Sequence, residues 1–151
     1  MSLDQYAEVV REMCAVVGLH DVNTVLERGF IEVENFEVAL AHYDTDPSAM
    51  YINFNFGIIS AGRTLSVFRL MLEANLTIYA QDQAQLGIDP ETGVVLLMLR
   101  APLGNDVNGQ WLADTFIHYA EHGRYWRDNI FNAKDDAYEG LCAGEYNWMK
   151  V

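Results

Sequence analysis

The chain has 151 residues, of which 51% are hydrophobic, so it can bury a core without metals or disulfides and is too apolar to be disordered. Its 22 acidic residues against 9 basic ones give a formal net charge of -13. A field of this sign repels nucleic-acid phosphates and anionic lipids, which excludes both as expected partners; it favours basic or neutral partners, unless it serves solubility alone.

The N-terminal half predicts one helix followed by three strands. Residues 3–17 place apolar side chains at helical spacing, Ser2 and Gln5 fit a capping box, and Gly18 suits the helix end. Apolar and polar residues alternate over three stretches, which predicts strands at 30–34, 36–43 and 50–58. Turn residues at 34–35 and 45–48 separate these strands, and such short links favour an antiparallel meander.

The second half predicts a helix over 63–79, strands over 83–89 and 94–99 joined by the hairpin loop 89–93, and a last helix over 108–131. The predicted fold is α+β: a single domain over residues 1–131, with a strongly twisted antiparallel sheet of about five strands and three helices in the order α-βββ-α-ββ-α. Residues 132–151 lose this periodicity and form a C-terminal tail.

The helix predicted over 63–79 is apolar around more of its surface than one contact face needs. One stripe, which we expect to cover the sheet, consists of Leu65, Phe68, Leu72 and Leu76. The other apolar residues of the helix, and the continuous apolar strand at 94–99, would then face a second copy of the chain. Burial inside a larger monomer core is the alternative. The predicted dimer interface consists of Val67, Leu70, Met71, Ala74, Leu97, Met98 and Leu99.

Candidate catalytic chemistry is confined to the sequence HYAEH at residues 118–122, which matches the H-x-x-E-H zinc signature. His118 and His122 would share one helix face with Glu121 beside them. However, that face lies at the flank of the stripe that is predicted to pack. The 29 residues that follow leave little room for a third ligand and a pocket. The predicted packed stripe of the last helix consists of Leu112, Phe116, Tyr119, Gly123, Trp126 and Ile130. Solvated helix histidines are the simpler interpretation, so we predict no enzyme activity, no metal site and no cofactor.

The two cysteines, Cys14 and Cys142, form no disulfide framework and have no metal-ligand spacing. Cys14 lies among helical apolar positions and is predicted to be a small core residue. The sequence begins without a signal-peptide pattern, and no stretch approaches about 18 consecutive apolar residues. These features predict a cytoplasmic protein.

Several separated motifs resemble the type III secretion chaperones of the Tir-chaperone (CesT-like) family. The sequence MLEANL at 71–76 resembles the family's Leu-Leu-Glu-Ala-Asn-Leu motif, and LGID at 86–89 resembles its Leu-Gly-Leu-Asp strand. PETG at 90–93 and RAPL at 100–103 match its hairpin turn and the end of its apolar strand, and Trp126-Arg127 is similar to its last helix. The segment at 77–83 lacks the family's glycine-rich character, and the tail is longer than the family needs.

The resemblance implies a homodimer in the cytoplasm of a Gram-negative bacterium, which binds the N-terminal region of one or a few secreted effectors in extended form, without ATP or catalysis. A surface built by the first helix and early strands would capture the effector. Each candidate is equally explained as an ordinary core residue. The predicted effector-binding residues are Tyr6, Val10, Val33, Phe36, Val38 and Leu40.

Two other functions are compatible with parts of the sequence: a small dimeric metal-dependent hydrolase using His118, Glu121 and His122, and a regulatory adaptor with the same fold. A further hypothesis concerns the tail, where Leu141, Tyr146 and Trp148 would fold back and shield an apolar groove until an effector arrives. The alternative is that these tail residues only make crystal contacts.

Overall fold

The structure, a computed structural model, describes residues 2–132. Helices α1 (Ser2–Val17) and α2 (Val22–Arg28) precede strands β1 (Phe30–Val33), β2 (Phe36–Tyr43) and β3 (Asp46–Ile58). Helix α3 (Thr64–Asp82), strands β4 (Ala84–Ile88) and β5 (Val94–Pro102), and helix α4 (Gly109–Tyr125) follow, and a π-helical turn (Trp126–Phe131) ends the described chain. The five strands form one sheet in the order β1-β2-β3-β5-β4. The α+β class, the five-stranded sheet and the order of the predicted elements are confirmed. One helix, α2, is additional, and the last predicted helix continues from Tyr125 as the π-helical turn.

Helix α2 was not predicted, although its capping signals are present in the sequence. The side chain of Asp21 accepts hydrogen bonds from the backbone N–H and the hydroxyl of Thr24, which caps the first turn. Gly29 ends the helix in the left-handed conformation, at φ 68°, and its N–H donates to Val25 O. The helix has only seven residues, which is too short for apolar periodicity to reveal it.

The glycine at this junction also positions β1. Gly29 O accepts a 2.7 Å hydrogen bond from Leu40 N, and a Cβ atom at residue 29 would lie 2.8 Å from Leu40 O. Glycine therefore meets both the positive φ and the close approach of the two backbones. Strand β1 then pairs antiparallel with β2. Glu34 and Asn35 both have positive φ, which identifies the predicted two-residue turn as type I′.

Strand β3 begins four residues before its predicted start, so the predicted turn at 45–48 is wrong in position. Asp44 and Thr45 form the turn, and Asp46 already pairs with Tyr43. The Asp46 carboxylate receives a bidentate hydrogen bond from Arg100 of β5, at 2.7 Å from Nε and 3.0 Å from Nη2. Tyr51 O–H donates to the same carboxylate at 2.6 Å. This network holds the start of β3 in extended form.

The described chain divides into two compact units, and the three boundaries between them fall within β3, β5 and α4. The described part of the first unit contains residues 2–54 and 100–120. In its core the Phe54 ring lies 6.0 Å from that of Phe116 and 5.8 Å from that of Tyr119, between centroids. Cys14 is fully buried, as predicted, and burial raises the pKa of its thiol.

Close contact between α1 and the start of α4 also belongs to the first unit. Gly109 N–H donates to the Glu12 carboxylate at 2.9 Å, which satisfies one of the unpaired donors at the start of α4. A Cβ atom at residue 109 would lie only 2.4 Å from the carbonyl carbon of Glu12. The two helices can therefore approach this closely only because residue 109 is glycine.

The described part of the second unit contains residues 55–99 and 121–132. Helix α3 contacts β4, and the β4–β5 hairpin has the predicted loop at 89–93. Asp89 N–H donates to Val94 O at 2.9 Å, and Gly93 adopts φ 73°. None of the described helices is both long and apolar enough to span a membrane. The predicted tail, with Cys142, Leu141, Tyr146 and Trp148, lies outside the described residues.

Candidate functional site

An open apolar groove of about 190 Å³ lies in the first unit, where the end of α1, strand β1 and helix α4 meet. We call it the β1 groove. Val17 and Ile117 are 49% and 52% exposed, so the groove wall is accessible to solvent. Apolar side chains concentrated at one exposed site are typical of a binding surface. The groove is lined by Met13, Val17, Leu19, Ile31, Glu32, Val33, Ala113, Phe116 and Ile117.

Strand β1 forms one edge of the sheet, and the phase of its hydrogen bonds determines which backbone groups face outward. Because Gly29 O accepts from Leu40 N, hydrogen-bonded pairs fall at every second residue from that point. Glu32 and Glu37 are therefore a non-hydrogen-bonded pair, and the N–H and C=O of Glu32 point away from β2. No further strand of residues 2–132 pairs with this edge, which makes it a template for an added strand.

The opposite edge of the sheet, strand β4, is closed by a side chain. Asn75 of α3 donates from Nδ2 to Leu86 O at 3.2 Å and accepts from Leu86 N at 2.7 Å. Its amide thus makes the two hydrogen bonds that a neighbouring strand would make at that residue. The asparagine of the MLEANL motif therefore protects the β4 edge, and β1 has no equivalent cap in the described part of the chain.

Five of the six predicted effector-binding residues lie in the core of the first unit. Their relative exposures are 6% or less, so the structure assigns them the alternative role of core residues. Only Val33 is half-buried and lines the β1 groove. The predicted residues come from α1, β1 and β2, whereas the β1 groove is lined by α1, β1 and α4. Alternation along β2 does not show which of its faces is covered. The five buried residues are Tyr6, Val10, Phe36, Val38 and Leu40.

Sequence reasoning did not select the exposed residues of the β1 groove. Val17 was counted as part of the apolar stripe of the first helix, and Leu19 follows the glycine that ends it. Ile117 lies outside the predicted packed stripe of the last helix. An apolar residue at such a position could have indicated an exposed apolar site. No other sequence feature connects these residues, since three separate elements bring them together.

The α3 face that was predicted to cover the sheet is largely exposed: only Phe68 of its four residues is half-buried. Six of the seven residues predicted for the dimer interface are buried within the chain, and Met98 is half-buried. The six buried residues are Val67, Leu70, Met71 and Ala74 of α3, and Leu97 and Leu99 of β5. Hence these residues do not form an outward face. The exposed apolar residues of α3 are Leu65, Leu72, Leu76 and Tyr79, with relative exposures of 83%, 71%, 81% and 61%. We call them the α3 stripe; whether two copies of the chain meet through this helix stays a prediction.

The histidine pair of α4 lies on an accessible part of the helix. His118 and Glu121 are exposed, His122 is half-buried, and the His118 ring stacks edge-on against Tyr119 with centroids 4.9 Å apart. Among residues 2–132, no group of three or more His, Cys, Asp or Glu side chains is placed to hold a metal ion.

The fold occurs in chains of solved protein complexes. One neighbour belongs to the HopA1–SchA chaperone–effector complex, with a TM-score of 0.64 and 14% identity over 82% of this chain and 93% of that one. Another belongs to the ExsC–ExsE complex, with a TM-score of 0.57 and 16% identity over 70% and 77% of the two chains.

A third neighbour belongs to the ExoT–SpcS complex from Pseudomonas aeruginosa, with a TM-score of 0.52 and 21% identity over 78% of this chain and 96% of that one. No protein-family model matches the sequence, and no curated protein matches it. At these identities the likeness is one of fold. The predicted secretion-chaperone-like fold is thereby confirmed.

Proposed function

We propose that this chain is a cytoplasmic type III secretion chaperone that binds the N-terminal region of a secreted effector in extended form, without catalysis. The observation that carries the proposal is the β1 groove beside an uncapped sheet edge. An extended segment gains backbone hydrogen bonds at such an edge and places alternate side chains in a neighbouring groove. The likeness in fold to a chain of a chaperone–effector complex supports the same role.

The geometry suits an extended client better than a folded one. A client strand beside β1 meets the outward N–H and C=O of Glu32, and every second side chain faces the same side as Ile31 and Val33. Ordering a flexible segment costs conformational entropy, and apolar burial in the groove offsets that cost at roughly 25 cal/mol per Å². The formal net charge of -13 would speed encounter with a basic segment.

We further propose that the chaperone is a homodimer joined through the α3 stripe. Leu65, Leu72 and Tyr79 recur every seven residues, and Leu76 lies between the last two on the same side of the helix. This spacing produces a seam suitable for helix pairing. Such a run of exposed leucines on one helix is unfavourable in water, and burial against a second copy removes it.

Co-purification tests the proposed function. The full chain is co-expressed with N-terminal segments of candidate effectors, and the dissociation constant of each complex is measured by titration. The double variant Val17→Gln, Ile117→Gln should weaken binding roughly thirtyfold, since each half-exposed side chain loses about 1 kcal/mol of apolar burial. The matched control is Val16→Gln, which changes an equally exposed residue of α1 that does not line the groove. Equal affinities of the double variant and the control would contradict the proposal.

A further inference from the structure

Two carboxylates face each other across the β1–β2 pair. Glu32 is directly opposite Glu37, and both side chains are exposed. Because they form a non-hydrogen-bonded pair, their side chains are closer than those of the neighbouring pairs. Like charges directly opposite on a sheet are destabilising. The hairpin therefore has an unfavourable arrangement that a positive charge on the same face would relieve.

The local sequence supplies no such charge. Residues 30–43, which include β1, its turn and β2, contain three glutamates and neither lysine nor arginine. Ile31 and Val33 lie opposite Val38 and Phe36, on the side of the strands that packs into the core and borders the groove. Strand β1 thus has one face with Glu32 as its single charge, beside the exposed Phe30, and an apolar face formed by Ile31 and Val33. Both faces reach the open edge.

We propose, as an extension of the function proposed above, that β1 selects a client strand in which a lysine or arginine lies between two apolar residues. A client residue paired with Glu32 points to the face that carries Glu32 and Glu37. The residues on either side of it point to the opposite face, towards the groove wall formed by Val17 and Ile117. The charge pattern of β1 therefore determines both the composition and the register of the client.

A second copy of the chain is a poor occupant of this edge. Pairing two β1 strands edge to edge would add a second acidic pair to the same patch. Charged residues on an edge strand are a common means of preventing such self-pairing. The same glutamates that attract a basic client thus disfavour association of the chain with itself at β1.

Peptides of defined charge test the proposal. Three fluorescent nine-residue peptides alternate threonine with valine and have a central lysine, glutamine or glutamate flanked by valines. Each is titrated into the purified full chain at low salt and followed by anisotropy. The lysine peptide should bind about fivefold more tightly than the glutamine peptide, the ratio given by a cross-strand charge pair of about 1 kcal/mol. The glutamate peptide should bind most weakly.

The double variant Glu32→Gln, Glu37→Gln should bind all three peptides equally, while Glu91→Gln, in the turn between β4 and β5, should preserve the order. Equal binding of the three peptides by the unaltered chain would overturn charge selection. If the double variant binds the three peptides with the same order of affinities as the unaltered chain, the assignment of charge selection to β1 is wrong. If no peptide binds, docking at this edge is wrong. A different result would contradict the proposed function alone: the peptides bind in the expected order of affinity, but no N-terminal segment of an effector binds.

Discussion

At the scale of single residues, the ion pair between Asp46 and Arg100 links the start of β3 to β5. The bidentate bond from Arg100, followed by the hydrogen bond from Tyr51, lowers the pKa of Asp46 to about 2. An unfolded aspartate has a pKa of about 3.9. The carboxylate therefore stabilises the folded chain at pH values above about 4, and this contribution disappears as the pH falls from about 4 to 2.

Replacing Asp46 by asparagine should remove this part of the acid dependence. We expect Asp46→Asn to be less stable than the parent chain at pH 7 and to lose less stability between pH 4 and pH 2. Urea unfolding at a series of pH values measures both effects. Asp106→Asn, which removes the same charge from an exposed loop, is the control. Parallel pH profiles for the parent and Asp46→Asn would contradict the assignment.

The amide of Asn75 provides a second test at this scale. Replacement by alanine leaves the Leu86 N–H and C=O without the partners that they have in the structure. Loss of two partly buried hydrogen bonds should lower the free energy of unfolding by about 2 kcal/mol. In Asn75→Asp the carboxylate can still accept from Leu86 N–H but cannot donate while ionised. The stability of this variant should therefore lie between that of the parent chain and that of Asn75→Ala. Chemical denaturation that ranks alanine equal to asparagine would show that the β4 edge needs no cap.

At the scale of elements, the contact between α1 and α4 fixes one wall of the β1 groove. Gly109→Ala should lower the free energy of unfolding by about 2 kcal/mol, since a Cβ atom there overlaps the backbone of Glu12 and Met13. The matched control is Gly104→Ala, because a Cβ atom at residue 104 meets no atom within 4 Å. Guanidinium denaturation of both variants should show a loss for the first alone; equal stabilities would mean that the helices separate without cost.

The sequence predicted the kinds and order of elements better than their faces. Alternation in β2 and β3, the hairpin loop at 89–93 and the periodicity of α1 and α4 each depend on local preferences, and the structure has all of them. The inward face of α3 depends on which side meets the sheet. Leu72 and Leu76 are as apolar as Leu70 and Met71, so hydrophobicity alone could not distinguish the exposed face from the buried one. The β1 groove was missed for the same reason, because chain-distant elements form it.

At the scale of the whole molecule, the α3 stripe predicts self-association. Leu72→Glu combined with Leu76→Glu should give a monomer in sedimentation equilibrium at micromolar concentration, where the parent chain is expected to be a dimer. Both side chains are more than 70% exposed, so the variant should keep the stability of the isolated fold. Leu3→Glu, at an exposed leucine of α1, should remain dimeric. A monomeric parent chain would contradict the proposed dimer.

The proposed function requires strand addition at β1, and amide hydrogen exchange tests this strand addition most directly. The exchange rate of the Glu32 N–H is measured in the free chain and in complex with the N-terminal segment of an effector. A client strand paired with β1 should slow this amide strongly, while the Leu86 amide, already bonded to Asn75, should change little. If the client binds and the Glu32 amide exchanges at an unchanged rate, the client docks elsewhere and no strand is added at β1.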